Sequence, residues 1–359
     1  MIDPKTFIFS FFDRKVSSKY VVLLFDDFGT IRINNGYEKK EPFENRFNRL
    51  DGIANSKDLT ALFEVLNSVK DSQGNPAVIT PMTVVANPDF QKIEDSEFQE
   101  YHYETFFETL KRKEDANEIL KLWKEGIEQG FFVPEYHGRE HLNVRFWMRV
   151  LQAKDEAVLS AFREKSIGIL PKNRALPKYM EAFDIENEDH LNEVTNIAND
   201  GLKIFEQMFG YRSVFFTPPG LIHNNGMHES FSESGIKAID MARSRIMPKV
   251  NGKRTRRIHY MGQKNKYEQV YITRNVMFEP NIQNGENWVN LGLKGIEIAF
   301  KYEQPAIVSS HRVNFVGCKD PKIRDAGLRD LKLILNGIVK TWPDVQFIPV
   351  RSLVKSYVN

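Results

Sequence analysis

The sequence predicts an α/β fold, a (β/α) barrel of seven or eight units, on three observations. Short β-rich apolar runs alternate with amphipathic helical runs along most of the chain, the pattern of a parallel sheet covered by helices. No Gly-x-Gly-x-x-Gly follows the first apolar run, which argues against an open dinucleotide-binding sheet. Titratable groups stand directly behind several of the apolar runs, where a barrel keeps its active site.

The elements follow in order. Tyr20 to Phe25 is continuously apolar and β-branched, as in a strand buried on both faces. Asp58 can cap a helix whose apolar positions are Leu62, Phe63, Leu66 and Val69, ended by Gly74-Asn75-Pro76. Ala77 to Thr80 starts a second strand, with Val84-Val85 close behind. Asp115 to Gln129 is helical, with Ile119, Leu122, Trp123 and Ile127 on one face and Gly130 as the stop. Phe131-Phe132-Val133 reads as the third strand. A helix over Leu191–Phe209, a strand at Val214–Phe216, a helix over Glu286–Tyr302 and a strand at Ala306–Val308 continue the rhythm. A helix over Ala326–Lys340 and a strand at Val345–Ile348 close it. Residues 160–187 and 243–285 interrupt the alternation and read as loop insertions in one domain spanning 1–359.

Composition narrows the function. The chain has 359 residues with 50 Lys+Arg against 48 Asp+Glu, a net charge of +2, so no global field draws it to nucleic acid or an anionic membrane. The basic cluster Lys253-Arg254-Thr255-Arg256-Arg257, beside Asn251-Gly252, reads as a solvated loop, and no nucleic-acid recognition motif accompanies it. The lone Cys318 excludes disulfide frameworks and Cys-rich zinc sites. The apolar N-terminal run Lys5–Phe12 is too short for a signal-peptide core, and no stretch approaches the ~20 apolar residues of a membrane span. The expected location is cytoplasmic.

The groups behind the strands suit metal-assisted hydrolysis. Asp26-Asp27-Phe28-Gly29 follows the first strand, and Pro134 to His141 follows the third. Thr217-Pro218-Pro219-Gly220 and then His223-Asn224-Asn225 follow Val214–Phe216, and Ser309-Ser310-His311 follows Ala306–Val308. His137 and His141 are four apart; if Gly138 opens a helix, both imidazoles share one face and can share a divalent ion. Two imidazoles and one carboxylate leave coordination positions open, as in a catalytic site. Of Asp26 and Asp27, one could bind metal and the other take a proton. Tyr136, Trp147 and Trp288 are aromatics near the strand ends that could stack on a ligand ring, and Asn224 and Asn225 are candidate hydrogen-bonding residues. His223 and His228 read as part of a mobile polar loop.

In motif order the sequence resembles the polysaccharide deacetylase family, metal-dependent carbohydrate esterases with a NodB-type domain. The resemblance rests on Phe25-Asp26-Asp27, on His137-Gly138-Arg139-Glu140-His141, on the groove motif Phe216-Thr217-Pro218-Pro219-Gly220 and on Ser309-Ser310-His311. It implies a distorted barrel of the glycoside hydrolase/deacetylase type. It also implies removal of acetyl groups from a sugar or polysaccharide by a metal-bound water, with Asp26 as general base and His311 as general acid. Asp27, His137 and His141 would hold a divalent ion, zinc first, with cobalt, nickel or iron also fitting. Glu135, Arg139, Thr217, Pro218, Pro219, Asn224, Asn225 and Trp288 are the expected substrate-binding residues. The family's groove motif often begins with an arginine that tethers the base; Thr217 stands there, leaving Arg212, Arg139 or Arg245 as substitutes. The partner that orients the late histidine has no match. Phe28 also replaces the glycine usual after Asp-Asp. Two other readings stand beside this one: a catalytically silent carbohydrate-binding relative, and a glycoside hydrolase using Glu135 and Asp26 as its carboxylate pair.

Overall fold

Strand β1 (Tyr20–Phe28) is buried along nearly its whole length, and its side chains alternate between two clusters. Val21, Leu23 and Phe25 pack against the helical layer, whereas Val22 and Leu24 join an inner cluster within the curl of the sheet. A computed structural model describes residues 11–34, 46–282 and 285–358 of the chain, so most of the predicted run Lys5–Phe12 lies outside the described residues.

The remaining strands follow β1 in the order the chain lays them down. β2 (Ile79–Val84) leads into an antiparallel hairpin of β3 (Ala86–Pro88) and β4 (Tyr103–Thr105). β5 (Glu135–Gly138), β6 (Phe215–Phe216) and β7 (Ala238–Asp240) come next. A second antiparallel hairpin of β8 (Ser244–Pro248) and β9 (Arg254–Ile258) precedes β10 (Val270–Ile272), β11 (Val276–Met277), β12 (Ala306–His311) and β13 (Gln346–Phe347). The main sheet runs β10-β7-β6-β5-β2-β1-β12-β11, with β13 also on β1, and its strand pairs are parallel. Its two ends are consecutive in the chain: Val270–Ile272 pairs with β7, and Val276–Met277, just past Thr273-Arg274-Asn275, pairs with β12. One bent segment therefore brings both edges of the sheet together, and the result is a distorted barrel with its seam at Arg274.

Helices Ser56–Asn67, Ala116–Glu128, Trp288–Lys301 and Pro321–Thr341 pack their apolar stripes on the outer face, and Glu188–Phe209 covers a second outer cluster. Asn55 and Asp58 form a reciprocal capping box on the first of these, and Gly210 ends the long helix in a left-handed conformation. The C-terminal helix Val350–Val358, which the sequence pattern did not predict, inserts Val350, Leu353, Val354 and Tyr357 into the inner cluster. It closes the N-terminal end of the barrel and leaves the opposite end for the site.

Several expectations need correction. Phe131–Val133 contributes only a bridge from Phe132 to Ile79, and the strand itself is Glu135–Gly138, because the chain must first leave the helix ending at Glu128. The second half of the segment 243–285 is not an excursion but supplies β10 and β11 to the sheet. Lys253–Arg257 is largely strand β9 of the hairpin, mostly exposed, with Arg254 paired to Asp184. Residues 164–187 do run as an irregular excursion, tied down by Asn143, whose amide donates to the carbonyls of Ala182 and Asp184.

Candidate active site

Strand parity decides which side chains reach the open end. Asp26 continues the inner series of Val22 and Leu24, and the β1–β12 register sets it directly beside His311. On β5 the inner residue at the strand end is His137; after Phe215 on β6 it is Thr217, after Ala238 on β7 Asp240, and after Ile272 on β10 Arg274. Asp26, His311, His137, Thr217 and Arg274 meet around a cavity of about 380 Å³, whose wall also includes Phe47, Met180 and Glu181, while Asp240 lies behind Arg274.

Asp27 breaks the parity and still enters the cavity. The β1–β2 register slips between Phe25 and Phe28, placing three steps on β1 against two on β2, and Asp27 takes the left-handed conformation at φ 74°. This bulge turns a side chain that would face the helices back toward the site. Gly29 completes the turn at φ 86°, where a Cβ would stand 2.0 Å from the carbonyl oxygen of Val84. Asn87 holds the turn, donating to the Gly29 carbonyl at 2.9 Å and accepting from the Ile31 amide at 2.8 Å.

Asp27, His137 and His141 converge so that one ligand atom from each lies within 4.8 Å of the others, and all three are buried. Gly138 does not open a helix. It ends β5 at φ 139°, and a tight turn rather than a helical face brings His141 back beside His137; the next helix starts only at Val144. His137 donates its Nδ1–H to the Thr217 carbonyl at 2.7 Å, which leaves the Nε2 lone pair for the site. The Nε2 of His141 stands 3.1 Å from Asp27 Oδ1, while Asp27 Oδ2 is buried without a partner. Two imidazole nitrogens and a carboxylate converging in a buried pocket are a donor set that fits a divalent ion. Arg32 lies against both atoms, its Nη2 3.1 Å from each. Burial and the Arg32 charge push His141 down to about 4, which keeps it neutral.

Beside this cluster stand the Asp26 carboxylate and the His311 imidazole. The Arg274 guanidinium holds Asp26 with two hydrogen bonds of 2.7 and 2.8 Å and reaches Asp240 through Nε at 2.7 Å; Thr217 Oγ1 also donates to Asp240. Burial alone would raise the Asp26 carboxyl, but Arg274 outweighs it and holds Asp26 below its ordinary value. Burial pushes Asp240 the other way, upward, since it shares that guanidinium with Asp26. The His311 Nε2 lies 3.8 Å from Asp26, and its Nδ1 contacts Glu279 at 2.5 Å. Burial would lower His311, yet the Glu279 bond and charge win and raise it. Glu279 is itself fixed by Asn314 at 2.7 Å and by Arg46.

The expected substrate contacts divide. Thr217 and Pro218 line the cavity, whereas Pro219 is buried behind it. Glu135 sits one pleat below His137, accepting from Ser213 and the Val214 amide and pairing with Arg351 of the C-terminal helix, so it ties the barrel bottom rather than the site. Arg139 turns outward to Glu140 and Asp200 and stacks on Tyr103. Asn224 caps a short turn and donates to the Pro248 carbonyl, and Asn225 accepts from Arg245. Trp288 is core, its indole donating to the Ile282 carbonyl, and Tyr136 and Trp147 are fully buried. His223 and His228 are not on a mobile loop; they are buried with their Nε2 atoms 3.0 Å apart. Asp26 is tethered by Arg274, not by Arg212, Arg139 or Arg245.

No family model and no curated protein sequence matches the chain. Its structure, however, is similar to that of a protein from Parabacteroides distasonis assigned as a glycoside hydrolase/deacetylase, with a TM-score of 0.53 at 9% identity over 95% of this chain and 71% of that one. The chain shares that barrel fold. Weaker likenesses extend to a protein assigned as a polysaccharide deacetylase from Mycobacterium smegmatis, at TM-score 0.43, 11% identity and 95% and 90% coverage. A family 4 acetyl xylan esterase from Clostridium thermocellum, in complex with a cobalt ion, follows at TM-score 0.37, 10% identity and 94% and 91% coverage. No helix among the described residues is long and apolar enough to cross a membrane.

Proposed function

We propose that the chain is a metal-dependent hydrolase that removes acetyl groups from an acetylated sugar or polysaccharide. The observation that carries this reading is the meeting of two units in one cavity: the Asp27–His137–His141 cluster and the Asp26–His311 pair beside it. Asp27, His137 and His141 would hold the divalent ion, zinc or cobalt by donor type. When bound, such an ion polarises an acyl oxygen and acidifies water. Asp26, held below its ordinary value by Arg274, would accept a proton, and His311, held above its ordinary value by Glu279, would deliver one to the departing amine or hydroxyl. Phe47, on the cavity wall and edge-on to His311, lies under the guanidinium groups of Arg32 and Arg46 and so shapes the cavity wall beside His311.

The glycoside hydrolase reading loses its carboxylate pair, because Glu135 is committed to the barrel bottom. The silent binding relative keeps one observation in its favour, the Arg32 guanidinium already lying against Asp27 and His141. Incubation of the zinc- or cobalt-loaded chain with acetylated glycans separates the readings. Acetate release that disappears in His311→Ala supports the deacetylase; binding of the glycan with neither acetate nor reducing sugar released supports the silent relative.

A further inference from the structure

We infer that Arg32 is a built-in competitor for the metal: its guanidinium holds the lone pairs that a divalent ion must take, and it gives them up when the ion enters. The inference rests on the metal-dependent reading above and concerns a residue outside the motifs that suggested it. Arg32 Nη2 lies 3.1 Å from Asp27 Oδ1 and 3.1 Å from His141 Nε2, so one donor bridges two ligand atoms that would otherwise repel across 3.1 Å. A guanidinium has no acceptor, so His141 Nε2 accepts and its proton sits on Nδ1, the tautomer a metal requires. Arg32 thus prepares the ligand that it also blocks.

The position is built rather than incidental. The Arg32 carbonyl accepts from the amides of Ile167 and Gly168 at 2.9 and 2.8 Å, which pins its backbone to the excursion 164–187. Its guanidinium carbon lies 4.6 Å over the Phe47 ring, which holds the side chain from the cavity side. The fit is incomplete, because Arg32 Nε is buried without a partner. The neutral His141 imidazole has a single lone pair at Nε2, which cannot serve a divalent ion and the guanidinium at once, so the two compete for it.

The test is a zinc titration against a chromophoric chelator, paired with the visible spectrum of added cobalt, on the full chain and on Arg32→Met and Arg32→Gln. Removing the competitor should tighten zinc binding by about 10–100-fold, the range over which groups around a metal site set affinity. Without zinc both variants should melt below the wild type, since Asp27 loses its counter-charge, and zinc should raise their melting temperature more than it raises that of the wild type. Either variant that folds is sufficient. Zinc affinity that stays equal or weakens in the variants, with the cobalt spectrum of a His-and-carboxylate site intact, overturns the role of Arg32 and leaves the metal reading standing. If no chain, variant or wild type, binds zinc or cobalt, the metal reading fails and this inference with it. Loss of binding in His137→Ala/His141→Ala assigns the measured ion to this site.

Discussion

Arg274 sits where one guanidinium can serve two buried carboxylates, and at this scale the site is a set of charges arranged so that each keeps the proton state its neighbours require. Arg274 holds Asp26 below its ordinary value against the effect of burial, and Glu279 holds His311 above its own. Arg274→Met leaves Asp26 buried with that counter-charge gone, so its folded pKa rises. For the proposed reaction the acid limb of the pH–rate profile should then move to higher pH, and kcat should fall about 10²-fold at neutral pH, the scale of general-base catalysis. A merely structural role for Arg274 would lower the amount of folded enzyme without moving that limb. The sequence pointed to Asp26, Asp27 and His311 by their places at the ends of apolar runs and to His137 and His141 by their spacing, and the cavity brings all five together. Asp240 and Arg274 obey the same parity, two residues past Ala238 and Ile272, but Asp240 ends the three-residue β7 and Arg274 follows the three-residue β10, both in a stretch rich in glycine and charge. Arg32, Arg46, Phe47 and Glu279 lie off the strands, and their places depend on how loops fold back over the cavity.

Two short elements do the positioning. The bulge at Asp27 lets consecutive aspartates serve one cavity from a strand whose alternation should separate them. Its geometry depends on Gly29, at φ 86° and against the Val84 carbonyl. Gly29→Ala should destabilise the chain by about 1–3 kcal/mol or more, since it combines left-handed strain with a backbone clash, and thermal melting measures it. A melting temperature equal to the wild type would mean that the turn relaxes freely. The turn from Gly138 to His141 is the second element. The four-residue spacing suggested a helical face, yet a strand end and a turn satisfy it equally, because a spacing of donors constrains only their distance and not the backbone between them.

For the whole molecule, burial of histidines sets the response to acid. Burial, with the Arg245 charge behind it, pushes His228 down to about 3, and burial with Arg145 pushes His190 down to about 4. Both folded values lie below the unfolded value of about 6.5, so the unfolded chain binds the extra protons. Their contribution is fully present above about pH 6.5 and is lost as pH falls toward 4 and then 3. The melting temperature should therefore fall between pH 7 and 4, and His228→Gln should flatten that slope; an unchanged slope in the variant would remove His228 from this role.

The alternation of strands and helices, the barrel class, the burial of β1 and the acid, base and ligand candidates at the strand ends were determined by the sequence itself, because hydrophobic period and strand-end position are local properties of the chain. The tertiary structure decided what depends on contacts between distant segments. It committed Glu135 to Arg351, 216 residues away, and Asp26 to Arg274, 248 residues away. It also turned Trp288 into core and set Arg32 against the metal ligands. A charged side chain takes its role from the partner that neutralises it, and which partner lies within reach is settled only when the sheet curls and closes its seam.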